Sequence, residues 1–259
     1  MQSFVTKGRI QNMIPLRWHR VFLVFAAVSV FIGLVDEICI WLLPPQAMRQ
    51  LITGLTTGAV VMLLAYRGGS IVRFVLGGKL GTSDLHAKLD SAMSAVRLSK
   101  PIRYRVVLYK GKNPSAFTIS DGGECCIFMS SAMASGLSAG ALACVIAHEC
   151  GHMIERHPRK QFIILGLLAC VKATTGITIA AIFMVILAYL YMLREWEFIA
   201  DKHAAEIVGA DCVVSAFNEF RALSGEKDIS RLSEFMCSHP SLNRRIAALA
   251  GGSHLPLRS

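Results

Sequence analysis

The chain has 259 residues, 54% of them hydrophobic and 17% charged, with a mean hydropathy of +0.51; that balance excludes an ordinary soluble domain and points to a membrane protein. The formal net charge of +10 would suit a nucleic acid, but the basic residues flank apolar runs, as at Lys7, Arg9, Arg17 and Arg20 and again at Arg67, Arg73 and Lys79. That is the pattern of membrane orientation, no nucleic-acid motif accompanies it, and no nucleic-acid partner is expected.

In chain order, residues 1–20 are polar and basic and read as a cytoplasmic N-terminus. Residues 21–43 are apolar except for Asp36 and Glu37 and stop at Pro44-Pro45. No small-residue cleavage site follows, which argues against a removed signal peptide. Residues 51–66 form a second apolar run, with only Arg49 in the short connection. Positive charge on both outer flanks predicts a transmembrane hairpin over 21–66, with the N-terminus and everything after Arg67 in the cytoplasm.

From about residue 82, and on to 259, the chain takes on the character of a soluble domain. Ser83 is placed to cap a helix running to about Leu98, with Leu85, Leu89, Met93 and Val96 on one side. Strands are predicted over 103–109, 116–120 and 125–130, the last two joined by a turn at Asp121-Gly122-Gly123. The 125–130 strand, just ahead of the next helix, reads as the edge on which an extended peptide would pair.

The run from Leu137 to Ile146 is small and apolar, lacks proline and leads into His148-Glu149-Cys150-Gly151-His152. On a helix, residues four apart share a face, so His148 and His152 aim two imidazoles at one point. Neutral imidazole suits zinc, a catalytic zinc keeps a position open for water, and Glu149 next to it is placed to act as general base. The spacing is that of the hydrolytic H-E-x-x-H motif, which needs a third ligand from elsewhere. Cys150 points off the ligand face and reads as a packing residue. The eight cysteines form no C-x-x-C pair and several lie in apolar runs, consistent with a reducing compartment. The motif helix is expected to stop at His157-Pro158.

Residues 162–193 are apolar apart from Lys172 and the Thr174-Thr175-Gly176 stretch, and read as a membrane-associated interruption of the catalytic domain. Because candidate ligands lie on both sides of this run, both its ends must sit on one face of the membrane. A single crossing is thereby excluded, while two full crossings need about 40 residues. A short tilted hairpin, and a re-entrant piece followed by a buried helix, both remain open. Arg159, Lys160 and Arg194 bracket the run with positive charge.

Three residues compete as third ligand. His157 lies nine after His148, but the three-histidine pattern needs His where Pro158 stands. Glu195 reads as a solvated charge beside Arg194. Glu197 has Asp201 four residues on, on the same helical face. Such a pair lets Glu197 bind metal while Asp201 accepts the free N–H of a ligating histidine. Glu197 is therefore the predicted ligand, and His203, off that face, reads as a surface or packing histidine.

The H-E-x-x-H helix, the stretch from Arg194 to Asp201 continuing to Gly209, and the tail from Leu232 through His239-Pro240 to Arg245-Ile246 together resemble HtpX-type membrane zinc endopeptidases. These belong with the CAAX prenyl endopeptidases and related gluzincins. The resemblance covers roughly residues 84–250 and implies that His148, His152 and Glu197 bind one zinc ion and that Glu149 is the catalytic base. It implies an α+β, mainly helical fold: a membrane-anchored, zincin-like metalloprotease domain with a small mixed sheet. It further implies a multi-pass protein of the bacterial inner membrane, its catalytic domain facing the cytoplasm, cutting misfolded or unfolded polypeptides. His239 and Arg245 have two readings: a loop and final helix that merely pack, or groups reaching the cleft to regulate it or steady the transition state. Two features depart from the family pattern. Ser115-Ala116-Phe117 stands where Asn-Ala-Phe is usual, and the interval from His152 to Glu197 is short. The rival readings are a prenyl-protein endopeptidase, which needs a large intramembrane chamber, and a scaffold with a structural zinc.

Overall fold

A computed structural model of the chain describes residues 9–15, 46–76, 83–98, 102–175, 179–225 and 237–251, with isolated helical positions between 27 and 38. The expected first arm of the hairpin, 21–43, thus lies largely outside the described residues.

The three strands legible in the sequence are present as β2 (Tyr104–Lys110), β3 (Ala116–Asp121) and β4 (Glu124–Ser130). Gly122 and Gly123 both take positive φ, 58° and 92°, the backbone that a two-residue hairpin turn demands and glycine adopts without strain. Alternate residues of β2 and β4 face opposite ways. Val106, Leu108, Ile127 and Met129 enter the main helical core, while Val107, Cys126 and Phe128 pack against Val72, Phe117 and Ile119 on the other face.

Two features of the sheet differ from the sequence reading. Residues Arg9–Pro15 form a further strand, β1, parallel to β2, inside the segment expected to be only a basic tail. The strand order is β1-β2-β4-β3. Hence β4 is internal, parallel to β2 and antiparallel to β3, and the edge nearest the motif helix is β3. Local patterning reports that a strand exists, whereas its neighbours depend on pairing across long sequence separations.

The helices are α1 (Gln46–Tyr66), α2 (Gly68–Leu76), α3 (Ser83–Ala95), α4 (Ser131–Gly136), α5 (Ala139–Ile154), α6 (His157–Thr175), α7 (Ile179–Val208), α8 (Ala210–Ser224) and α9 (Leu242–Ala250). The motif helix α5 is the centre of the core, packed by α3, α7 and α8. Ser138 caps it, accepting from the Ala141 N–H, and is itself held by Glu219 of α8. Cys144 of α5 meets Cys212 of α8 with thiols 2.9 Å apart. Where α5 crosses α7, Gly151 lies so close that a Cβ there would sit 3.1 Å from both Cα and O of Ala200. Small residues at this crossing bring the backbone of α7 down onto the histidine face of α5.

The motif helix ends earlier than expected. Arg156 takes φ 56°, a left-handed conformation uncommon outside glycine, and a new helix begins at His157. Pro158 falls in that first turn, where a missing N–H costs nothing. At the opposite end of the sheet, Asp121 accepts hydrogen bonds from Ser70 at 2.9 Å and Arg73 at 2.5 Å, latching α2 to the β3–β4 turn.

The apolar stretch 162–193 is helical on both sides of residues 176–178, as the later part of α6 and the first half of α7. Among the described residues no single helix is long and apolar enough to cross a membrane. Met48–Leu63 and Gly68–Val75 pass that test together, bent by 73°.

Candidate metal centre

His148 and His152 come from one face of α5, and Glu197 and Asp201 from one face of α7. The helical period and the close α5–α7 crossing bring these faces together. His148 and His152 present their Nε2 atoms 3.1 Å apart. Glu197 closes the triangle, with Oε2 3.5 Å from His148 Nε2 and Oε1 3.3 Å from His152 Nε2. The three ligand atoms lie within 4.8 Å of one another. Two imidazole nitrogens and one carboxylate meeting at a point are the donor set of a hydrolytic zinc site, so the residues fit the ion.

The electrostatics favour a cation at that point. Burial opposes charge on His148, yet hydrogen bonds to Asp201 and Glu197 outweigh it and lift its pKa to about 10. Burial alone would raise Glu197, but the surrounding histidines, His148 first, hold its carboxyl well below the ordinary range. Asp201 is 2% exposed and would likewise be raised by burial, but Arg245 holds it low.

Asp201 Oδ1 lies 2.9 Å from His148 Nδ1. Arg245 of α9 donates from Nε to Asp201 Oδ2 at 2.7 Å and from Nη2 to Oδ1 at 2.5 Å, with Nη1 3.4 Å from Glu197. His239, though 67% exposed, brings Nδ1 to 3.2 Å from Glu197 Oε1. Both therefore reach the cleft. Glu149 is buried, and its Oε2 accepts a 2.5 Å hydrogen bond from Thr118 Oγ1 on β3.

Other residues fall differently. His203 is partnered by Glu155 at 3.0 Å, away from the centre, as a packing histidine. Arg194, expected to bracket the apolar run with charge, is instead buried and donates to the Cys237 carbonyl at 2.9 Å, fastening the tail segment onto α7. Sequence reasoning missed Thr118, for which no motif exists. It also set His157 aside as a ligand without giving it another place. His157 is buried, its Nδ1 is 2.9 Å from His152 Nδ1, and it stacks on Trp196 with ring centroids 4.6 Å apart and planes 6° apart. Burial, reinforced by His152, pushes its pKa down to about 3.

Two clefts open from the centre. One of about 300 Å³ has the apolar wall Val145, Val213, Phe217, Phe220 and Leu242 and the polar floor His148, Glu149 and Arg245. The other, about 280 Å³, runs past Thr118, His152, His157 and Trp196. Chemically, the arrangement offers a cation site with a hydrogen-bonded carboxylate beside it and room for chain on either side.

Curated proteins give no match to the chain. Among solved structures, Ste24p of S. mikatae shares the fold, with a TM-score of 0.60 at 15% identity over 90% of this chain and 64% of that one. The chain thus spans less than two thirds of the length of Ste24p. The model of Peptidase family M48 matches residues 79–252, which takes in every residue gathered around the cation site. The chain belongs to peptidase family M48.

Proposed function

We propose that the protein is a zinc-dependent endopeptidase that cuts unfolded or misfolded polypeptides at the cytoplasmic face of a bacterial inner membrane. The observation that carries this reading is the convergence of His148, His152 and Glu197 on one point, with Glu149 beside it and clefts on both sides. His148, His152 and Glu197 would hold one zinc ion. Bound there, the ion supplies Lewis acidity, which makes water acidic enough to attack at neutral pH and polarises a carbonyl. Glu149 takes the proton from the attacking water and later delivers it to the leaving amine. Thr118 fixes Oε2 of that carboxylate, leaving Oε1 to carry the proton. Asp201, itself clamped by Arg245, holds the ring of His148. Both at Glu197, Arg245 adds positive charge on the floor of the cleft and His239 adds a donor at its rim.

Among the described residues β3 pairs only with β4, which makes its outer edge the candidate for pairing with an extended substrate. Strand addition reads backbone more than side chains, which suits broad specificity for unfolded chains. Large apolar side chains exposed on α1, α6 and α7, among them Leu55, Leu63, Leu167, Met184 and Tyr191, suit a lipid surface. Pairing of β1 with β2 also fits, because it returns the chain after 21–66 to the side on which it began.

The test is cleavage of casein by detergent-purified protein, with metal content measured alongside. Cleavage that stops on chelation and returns with one equivalent of zinc supports the proposal. Cleavage indifferent to chelation, or a folded soluble protein cut as readily as casein, overturns it. A prenyl-protein endopeptidase uses the same ligand set, and processing of a prenylated peptide in preference to casein would favour it. A structural zinc is disfavoured because such sites are closed by four protein ligands, usually cysteines.

Thr118→Val is expected to lower kcat about tenfold with KM little changed. A hydrogen bond to a charged group contributes about 1.5–3 kcal/mol, and only its effect on the base is lost here. Steady-state kinetics on an unfolded substrate checks this; an unchanged kcat would remove Thr118 from the mechanism.

A further inference from the structure

His152 turns Nε2 toward the candidate metal point, so its other ring nitrogen, Nδ1, points away and meets His157 Nδ1 at 2.9 Å. Two imidazole nitrogens at that separation share one hydrogen between them. If Nε2 of His152 is the metal ligand, the ring proton sits on Nδ1. His152 is then the donor and His157 the acceptor, and His157 carries its own hydrogen on Nε2. That Nε2 is buried and has no hydrogen-bond partner among the described residues. Leaving a buried polar atom unpaired is costly, so the arrangement sacrifices one contact of His157 to satisfy His152.

His157 is well built for the task. The left-handed turn at Arg156, four residues after His152, follows the end of α5 and folds the first residue of α6 back against it. Its ring lies flat on Trp196, the residue before Glu197 on α7, so its plane is set by the helix that supplies the third ligand. Relative to His152 the two rings stand at 66°, an edge-on approach that lets nitrogen face nitrogen.

We propose that His157 is a positioning residue of the metal centre: by accepting the Nδ1–H of His152 it fixes that ring's tautomer and orientation, as Asp201 does for His148. The proposal rests on the metallopeptidase reading, in which His152 is a ligand. It gives the two histidines of the motif unlike supports, a charged carboxylate for one and a neutral imidazole for the other.

The test compares His157→Phe and His157→Asn in the detergent-purified full-length protein. Phe keeps a flat ring to stack on Trp196 but has no acceptor. Asn gives up the stack but sets Oδ1 where Nδ1 was. Zinc affinity is read by competition with a chromophoric chelator, beside thermal unfolding of the zinc-depleted proteins. The expected result is an affinity about 10–100-fold weaker for Phe and within about threefold of wild type for Asn. The reverse order, with Phe near wild type and Asn weak, assigns His157 to packing and overturns the proposal. Should the Phe variant fail to fold, weak zinc binding by a folded Asn variant overturns it alone. A wild type that takes up no zinc removes the metallopeptidase reading and this proposal together, whereas wild-type binding with an unaffected Phe variant removes this proposal only.

Discussion

Replacing Glu149 by Gln should leave a folded protein that still binds one zinc ion and cuts unfolded protein about 10²–10⁴-fold more slowly. The substitution is nearly isosteric. Glu149 is buried at 7% exposure, and the carbonyl oxygen of Gln can still accept from Thr118 Oγ1, so neither packing nor that hydrogen bond is lost. What disappears is the ability to take a proton. The ligand triangle of His148, His152 and Glu197 does not include this side chain, so metal content should not change. Rate and bound metal measured on the same preparations separate the possibilities. A Gln variant that cuts at the wild-type rate would remove Glu149 from the chemistry, and one that loses zinc would make it a ligand.

The largest effect on stability is expected from Arg245→Met. The Arg245 side chain is 11% exposed and that of Asp201 only 2%, so the pair is buried. Burial disfavours the charged guanidinium, but Asp201 outweighs it and raises the pKa of Arg245. Arg245 also lies over the ring of Phe217, 4.6 Å from its centroid, with Glu197 beside it. Met fills much of the same volume but leaves Asp201 buried without its counter-charge. Breaking a buried pair from one side costs about 3–5 kcal/mol. For a chain of this size that is a fall of roughly 6–20 °C in Tm. Adding Asp201→Asn to Arg245→Met should restore part of the loss, since no buried charge is then unpaired. Thermal unfolding of the two single variants and the double variant checks this. An Arg245→Met protein within about 2 °C of wild type would show that the pair contributes little.

Much of the centre was legible before any coordinates because its parts are local. The four-residue intervals from His148 to His152 and from Glu197 to Asp201 are helical periodicity written into the chain, and the glycine pair at 122–123 marks its own turn. The tail motif announced His239 and Arg245, though only the packing of α9 and of the segment before it shows which atoms they reach. What escaped depends on distance in sequence or on an unmarked backbone. Strand β1 takes its identity from β2, more than ninety residues later, and the apolar pattern of 125–130 fits an edge strand as well as the internal one it is. His157 was tested only as a ligand because the turn that aims it sits on Arg156, a residue that gives no sign of a left-handed conformation. Thr118 meets Glu149 across a sheet–helix contact that no spacing encodes. Arg194, read as a charge bracketing the apolar run, is buried and holds the Cys237 carbonyl.

The order in which the chain is made gives the α9 clamp a further meaning. His148, Glu149, His152 and Glu197 are all translated by residue 197, but the guanidinium that neutralises Asp201 arrives 44 residues after it. At about 5–20 residues per second, that is a delay of about 2–9 s. Over that interval Asp201 lacks the guanidinium of Arg245, so closing the α5–α7 crossing over it costs more until α9 has been made.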